Sequence, residues 1–401
     1  MPSNITHMLI CHKAIERFGN LEPKNKKIAK QLKNFAKELE DKSRKRIKVG
    51  HSIRPYLNLG SLGPDMFCYQ NGMTVAKSFF AEGHIGAAGV EPWAYHLHSV
   101  RPNEFPLKLL EILFRDVNRD ASKNLPRLEF QDSAKLAFII GYLTHIAADQ
   151  IIHPSVNKIA GPYYRAGKNR VSHRKCEVFQ DYFLYQTVYE EEGKLNSGKH
   201  DFFAQEFGDW CDCIKGYTFD NTEDWFRSFI QRGFAETYGN FPKDNEIEDA
   251  ADGIIRVLSI CNASIGPLHT PYREAEKAWK KRKKKDKGLY GKYFIDTDYM
   301  TLYREAVELA TTYILAAFEA WIILKGSEDF NQIACKRFEE VVSSADLGTP
   351  LISSSILDGA IANLKRPPSK DEHRPDWHHI SGVTLKKSST IKRQRKKTNL
   401  L

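Results

Sequence analysis

The stretch His145-Ile-Ala-Ala-Asp149-Gln-Ile-Ile-His153 reads H-x3-D-x3-H, and His173-Arg-Lys-Cys-Glu177 reads H-x3-E. On an α-helix, four residues overshoot a full turn by about 40°, so groups spaced by four stack along one side. His145, Asp149 and His153 then line one helix face, and His173 and Glu177 line another. Imidazole nitrogens and carboxylate oxygens are donors that zinc takes in catalytic sites. Zinc held this way yields hydroxide from water at neutral pH and polarises phosphoryl oxygens, so the chemistry is hydrolytic. A lone H-x3-D pair is commonly a surface contact. Here Ile139, Ile140, Leu143 and Ile146 flank the positions, which turns the polar groups inward. Buried charge without a partner is costly, and a metal ion supplies that partner.

A cluster of several ions needs further ligands. The candidates are His7 near the start, Asp65 after Leu62-Gly63-Pro64, and His96 or His98 in Tyr95-His96-Leu97-His98. The alternation in that tetrapeptide puts both imidazoles on one side of an extended segment. Asp65 also reads as a plain turn residue after Gly-Pro. His12 reads as solvent-facing, and Cys176 points off the face shared by His173 and Glu177. Cys211 and Cys213 read as ordinary thiols, and His373, His378 and His379 as incidental.

Several amphipathic helices must position these groups. Helical spacing runs over 5–18, 25–47, 104–116, 132–153, 171–192, 223–238, 245–262, 298–325 and 327–344. Pro154 is expected to stop the central apolar helix. Residues 57–68 read as a Gly/Pro-punctuated turn, and 71–103 as an irregular Gly-rich loop over the site. Alternating strand patterns are scarce, so the predicted class is all-α: a multi-helix bundle around a zinc cluster with extra C-terminal helices. The most apolar segment, 306–324, contains Glu308 and Glu319 and reads as a core helix, not a membrane span. The expected division is a metal-binding core over 1–194, a helical extension over 195–364 that completes or covers it, and a basic, disordered tail over 365–401.

Charge is concentrated in two places. Residues 277–287 (KAWKKRKKKDK) carry +7 and residues 365–401 carry +8, against +10 for the 401-residue chain, so the body is mildly acidic. Such runs are solvated or make peripheral contact with an anionic membrane; Trp279 in the first run would suit an interface. Nucleic acid is the weaker partner. The seven cysteines are odd in number and lack a C-x-x-C pair, which predicts reduced thiols. The first residues show no basic and apolar export pattern, so a cytoplasmic location is expected.

Taken in order, Thr6-His7, Leu62-Gly63-Pro64-Asp65, His145-x3-Asp149-x3-His153-Pro154 and His173-x3-Glu177 resemble the zinc-dependent phospholipase C family. That family includes the N-terminal domain of the glycosylphosphatidylinositol-specific phospholipase D, and shares its fold with S1/P1-type nucleases. The resemblance covers roughly residues 1–190. It implies that His7, with the chain's N-terminal residue, holds one zinc. It implies Asp65, the His96/His98 position and His145 as ligands of another, with Asp149 bridging the two. His153, His173 and Glu177 would hold the remaining ion. The family spacing to Phe105 favours His98 over His96, and Asp65 matches the candidate general base.

The implied activity is phospholipase C hydrolysis of phospholipid head groups through a zinc-bound hydroxide, with two or three zinc ions. The alternatives are an S1/P1-type nuclease, or a non-catalytic metal-binding scaffold that uses its basic segments. The chain departs from the secreted bacterial phospholipases in three ways. The step from Asp149 to His153 is two residues shorter. Met1-Pro2 stands where those enzymes begin with Trp. The export signal is lacking.

Overall fold

The computed structural model describes residues 4–21, 26–39, 52–70, 92–122, 129–161, 167–191, 224–262, 274–277, 280, 299–324 and 341. Among these residues every regular element is helical. They are α1 (Asn4–Gly19), α2 (Lys26–Leu39), α3 (Arg54–Ser61), α4 (Gly63–Met66) followed by a 3-10 turn (Phe67–Tyr69), α5 (Pro92–Ser99), α6 (Glu104–Ser122), α7 (Glu129–Ala160), α8 (Gly167–Glu191), α9 (Asp224–Tyr238), α10 (Asp244–Asn262) and α11 (Tyr299–Leu324). The protein is all-α, as its residue periodicities predict.

The bundle is organised around α7, which packs against α1, α3, α6, α8 and α11. Its apolar residues Leu136, Ile139, Ile140, Leu143 and Ile146 are fully buried. Burying each such side chain is worth about 1.5–3 kcal/mol. By length and composition α7 is apolar enough to cross a membrane, but its apolar window is 83% buried against other helices. The apolar segment 306–324 lies within α11, which packs on α7 and α1 and fully buries Ala306, Ala310, Ile314 and Ala317. Buried residues of α9, α10 and α11 belong to the same hydrophobic core as those of α1 to α8.

A close backbone crossing joins α3 to α7. A Cβ added to Gly60 would lie 2.2 Å from the Phe138 carbonyl oxygen, and one on Gly141 would lie 2.2 Å from that of Leu57. Only hydrogen fits at both positions. A part-buried charge network links three helices: Asp116 of α6 accepts from Lys135 of α7 at 3.2 Å and from Arg232 of α9 at 2.9 Å. Asp116 pairs with the buried Lys135, and the second cation, Arg232, is 40% exposed and so remains partly solvated.

Three local expectations are corrected. Pro154 does not stop the central helix, which continues to Ala160. A proline removes one N–H and crowds the preceding turn, but Val156 and Ala160 beyond it are buried and hold the helix in place. The stop comes at Gly161, whose φ of 80° is a left-handed cap and whose N–H donates to the Asn157 carbonyl. Residues 57–68 are also helical where a turn is expected, because Pro55 and Pro64 each sit in a first helical turn, where a missing N–H costs nothing. Within the expected loop 71–103, residues 92–99 form α5; residues 71–91 lie outside the described residues. So do 40–50, 192–223, most of the 277–287 basic run including Trp279, and the whole 365–401 tail.

Candidate metal centre

Five helices deliver eight side chains to one point. α7 supplies His145, Asp149 and His153, and α8 supplies His173 and Glu177. The spacing of four puts each set on one face, as the geometry of a straight helix requires. α1 contributes His7, α4 contributes Asp65 and α5 contributes His98. None of the eight is more than 9% exposed.

Asp149 lies at the junction. Its Oδ1 is 3.3 Å from His7 Nε2 and 3.2 Å from His153 Nε2. Its Oδ2 is 3.3 Å from His145 Nε2 and 4.0 Å from His98 Nε2. Asp65 sits opposite, with Oδ1 3.0 Å from His98 Nε2 and Oδ2 3.6 Å from His145 Nε2 and 3.9 Å from His7 Nε2. On the α8 side, Glu177 Oε1 is 3.0 Å from His173 Nε2 and 3.5 Å from His153 Nε2.

These donors form three groups, His7–Asp65–His145, His98–His145–Asp149 and His153–His173–Glu177, each with ligand atoms within 4.8 Å of one another. His145 Nε2, Asp65 Oδ2, Asp149 Oδ2 and Glu177 Oε2 are buried and have no hydrogen-bond partner. Such atoms carry a desolvation cost that a protein seldom leaves unmet. The donor set is nitrogen and oxygen only, which suits zinc, so the residues present fit the metal.

Charge is distributed unevenly through the cluster. Burial, reinforced by the neighbouring His145, lowers His7 to about 4. Burial also disfavours a charged His145, but the carboxylates of Asp149 and Asp65 outweigh it and raise that ring. Burial would raise Asp149, yet His153 and His145 around it hold it far below the usual carboxylate range. Glu177 is depressed in the same way, its burial outweighed by His173 and His153. Burial lowers His173 against the pull of Glu177. Asp149 and Glu177 are ionised and His7 is neutral at physiological pH, which are the ligand forms that bind metal.

Two backbone carbonyls orient two of the histidines. Nδ1 of His145 pairs with the Ser61 carbonyl at 2.9 Å, and Nδ1 of His98 with that of Ala94 at 2.7 Å. Each bond turns Nε2 toward the centre, the arrangement usual behind metal-binding imidazoles. Residue types in the sequence cannot reveal either carbonyl, because any residue supplies one.

His96 and His98 do not share a side. In a helix, residues two apart point nearly opposite ways. His98 faces Asp65, whereas the His96 ring packs edge-on to Tyr238 at 5.3 Å and against Trp93. His12 is half-buried and not solvent-facing, because α3 lies against it and its Nε2 pairs with Asn58 Oδ1 at 2.8 Å. Cys176 is buried beside Gln180, with its thiol pushed up by burial, then by Glu177. Among the described residues, Cys11, Cys68 and Cys176 form no disulfide; Cys211, Cys213, His373, His378 and His379 lie outside the described residues.

A family model described as zinc dependent phospholipase C matches residues 6–239, more than half of the chain. No curated protein and no solved structure matches it.

Proposed function

We propose that this chain, which belongs to the zinc-dependent phospholipase C family, hydrolyses the phosphodiester of a phospholipid head group at the His/Asp/Glu centre. The position of Asp149 carries the reading. Its two oxygens face different histidines, Oδ1 toward His7 and His153 and Oδ2 toward His145 and His98. A carboxylate so placed can be shared between two ions and fix their spacing. His7, Asp65, His98, His145, Asp149, His153, His173 and Glu177 would together hold two or three zinc ions.

Zinc, when bound, lowers the pKa of water from about 15.7 to about 7 and offsets charge on the phosphoryl oxygens. The protein's own groups do the rest. Asp65 is directed to His98 through Oδ1, while its Oδ2 is buried and has no hydrogen-bond partner. That second oxygen is placed to take the proton of the water whose oxygen attacks phosphorus and, as the P–O bond to the lipid breaks, to return it to the departing alkoxide, which leaves as the alcohol. His145 and His98, locked through Nδ1 by the carbonyls of Ser61 and Ala94, keep their Nε2 atoms on the reacting side. Preset donors need no reorganisation during the reaction.

The test is zinc content together with turnover. Protein purified without chelator should carry two or three zinc ions and release phosphorylated head group from phosphatidylcholine micelles. Chelator should abolish that release, and zinc should restore it. Zinc-dependent cleavage of single-stranded DNA with no action on lipid would replace this reading with a nuclease. Zinc bound without either activity would leave a metal-binding scaffold.

A further inference from the structure

We infer that Asp181 is a positioning residue: it holds the start of α1, and hence His7, in register with the His153–His173–Glu177 side of the centre. The inference rests on the metal-centre reading above. Asp181 follows Glu177 by four residues on α8 and so lies on the same helix face. It is 1% exposed and belongs to none of the three donor groups. Its Oδ1 accepts two hydrogen bonds from one residue, the Thr6 backbone N–H at 2.9 Å and the Thr6 hydroxyl at 2.6 Å.

Thr6 lies in the first turn of α1, where backbone N–H groups have no partner within their own helix. A carboxylate at that end also meets the positive pole of the helix. Capping usually comes from the helix's own preceding residue; here it comes from another helix. The bond therefore clamps α1 to α8 one residue before His7.

His7 needs that clamp more than its neighbours do. His145 and His98 are oriented through Nδ1 by backbone carbonyls. Nδ1 of His7 is buried with no hydrogen-bond partner. The ring is held by its stacking on His145, at 3.8 Å and 10° from parallel, and by the position of its own backbone. Asp181 sets that position.

Three variants test the inference: Asp181→Ala, Asp181→Asn and Thr6→Val. Zinc affinity is measured by competition with a chromophoric chelator, the cobalt(II) absorption spectrum reports coordination geometry, and thermal unfolding in chelator reports the fold alone. Asp181→Ala should lose about 10–100-fold in zinc affinity, the size of effect usual for partners of metal ligands, and alter the cobalt spectrum. Asp181→Asn keeps an oxygen that accepts from Thr6 and should stay within a few-fold of wild type. Thr6→Val keeps the N–H bond and should fall between them, and it remains readable if Asp181→Ala fails to fold. Wild-type affinity and spectrum in a folded Asp181→Ala, or in Thr6→Val where that variant does not fold, overturn this inference alone. A wild-type chain that binds no zinc overturns the metal centre itself, and this inference with it.

Discussion

The imidazoles of His7 and His145 lie stacked, with ring centroids 3.8 Å apart and planes 10° from parallel. One comes from α1 and the other from the centre of α7, the longest helix among the described residues, so the contact closes the bundle at the site. Stacked face to face and buried, the two rings disfavour carrying a positive charge at the same time. Burial and its neighbour His145 lower His7 to about 4, whereas Asp149 and Asp65 raise His145 against its burial. Of the two rings, His145 is therefore the one that favours the charged, protonated form, and a metal ion at its Nε2 would compete with that proton.

That asymmetry makes the metal-free protein respond to pH through each ring in a separate window. The folded pKa of His7 lies below the ordinary value near 6.5. Its stabilising contribution is present above about 6.5 and is lost as pH falls toward about 4. The folded pKa of His145 is raised, so its contribution is present below about 6.5 and is lost as pH rises through the folded value. With both proteins chelated, the melting-temperature advantage of wild type over His145→Gln should shrink from about pH 6 to about pH 9. An advantage that grows over that range contradicts the raised His145. With zinc present protons compete for the same nitrogens, so the wild-type melting temperature should climb from about pH 6 to about pH 8.

Asp149→Ala removes the carboxylate that faces His7, His145 and His153 together. Zinc per chain, by elemental analysis, should fall from two or three to one or fewer. Unchanged zinc would show that Asp149 bridges nothing.

Asp65→Asn keeps the shape and an oxygen near His98 but loses the proton acceptor. Turnover should drop by about 10²–10⁴, the range for a general base, while KM changes little. The fold should be retained, as judged by circular dichroism. Turnover within about threefold of wild type would assign the proton transfer elsewhere.

The two histidines of α5 should separate cleanly. His98→Ala removes the ring 3.0 Å from Asp65 and should weaken zinc binding by at least about tenfold. His96→Phe keeps the aromatic contacts with Tyr238 and Trp93 and should leave zinc affinity unchanged. Titration of both variants against the same chelator decides the assignment, and a reversed order refutes it.

Gly141→Ala should be among the most damaging single-methyl additions. Its Cβ would sit 2.2 Å from the Leu57 carbonyl oxygen and 2.6 Å from the Ser61 nitrogen, both backbone atoms that cannot swing aside. Separating α3 from α7 should cost about 3 kcal/mol or more. It should also lengthen the Ser61–His145 bond and so reduce zinc affinity. At Gly239 nothing lies within 4 Å of an added Cβ, so Gly239→Asn is the mild comparison, because Asn tolerates a positive φ. Denaturant unfolding of the two checks the contrast.

The sequence by itself determined what is local and periodic. Four-residue spacing placed His145, Asp149 and His153 on one helix face and His173 and Glu177 on another, because helical geometry allows nothing else once the helices form. Apolar residues around those positions turned them inward, and the lack of alternating patterns made the protein all-α. Local signals misled where packing outweighed them. Pro154 reads as a stop, but buried residues on both sides carry α7 through it to Gly161. Tyr-His-Leu-His reads as an extended stretch, but as a helix it sends His96 and His98 in opposite directions.

Tertiary structure alone decided the rest. It brought His7, Asp65 and His98 to the two local motifs. It also put the Ser61 carbonyl behind His145 through a crossing that tolerates only glycine, and made His145, not His7, the ring that favours the charged form. These outcomes depend on distances between segments remote in the chain, and on burial, which sets the charge each group can hold.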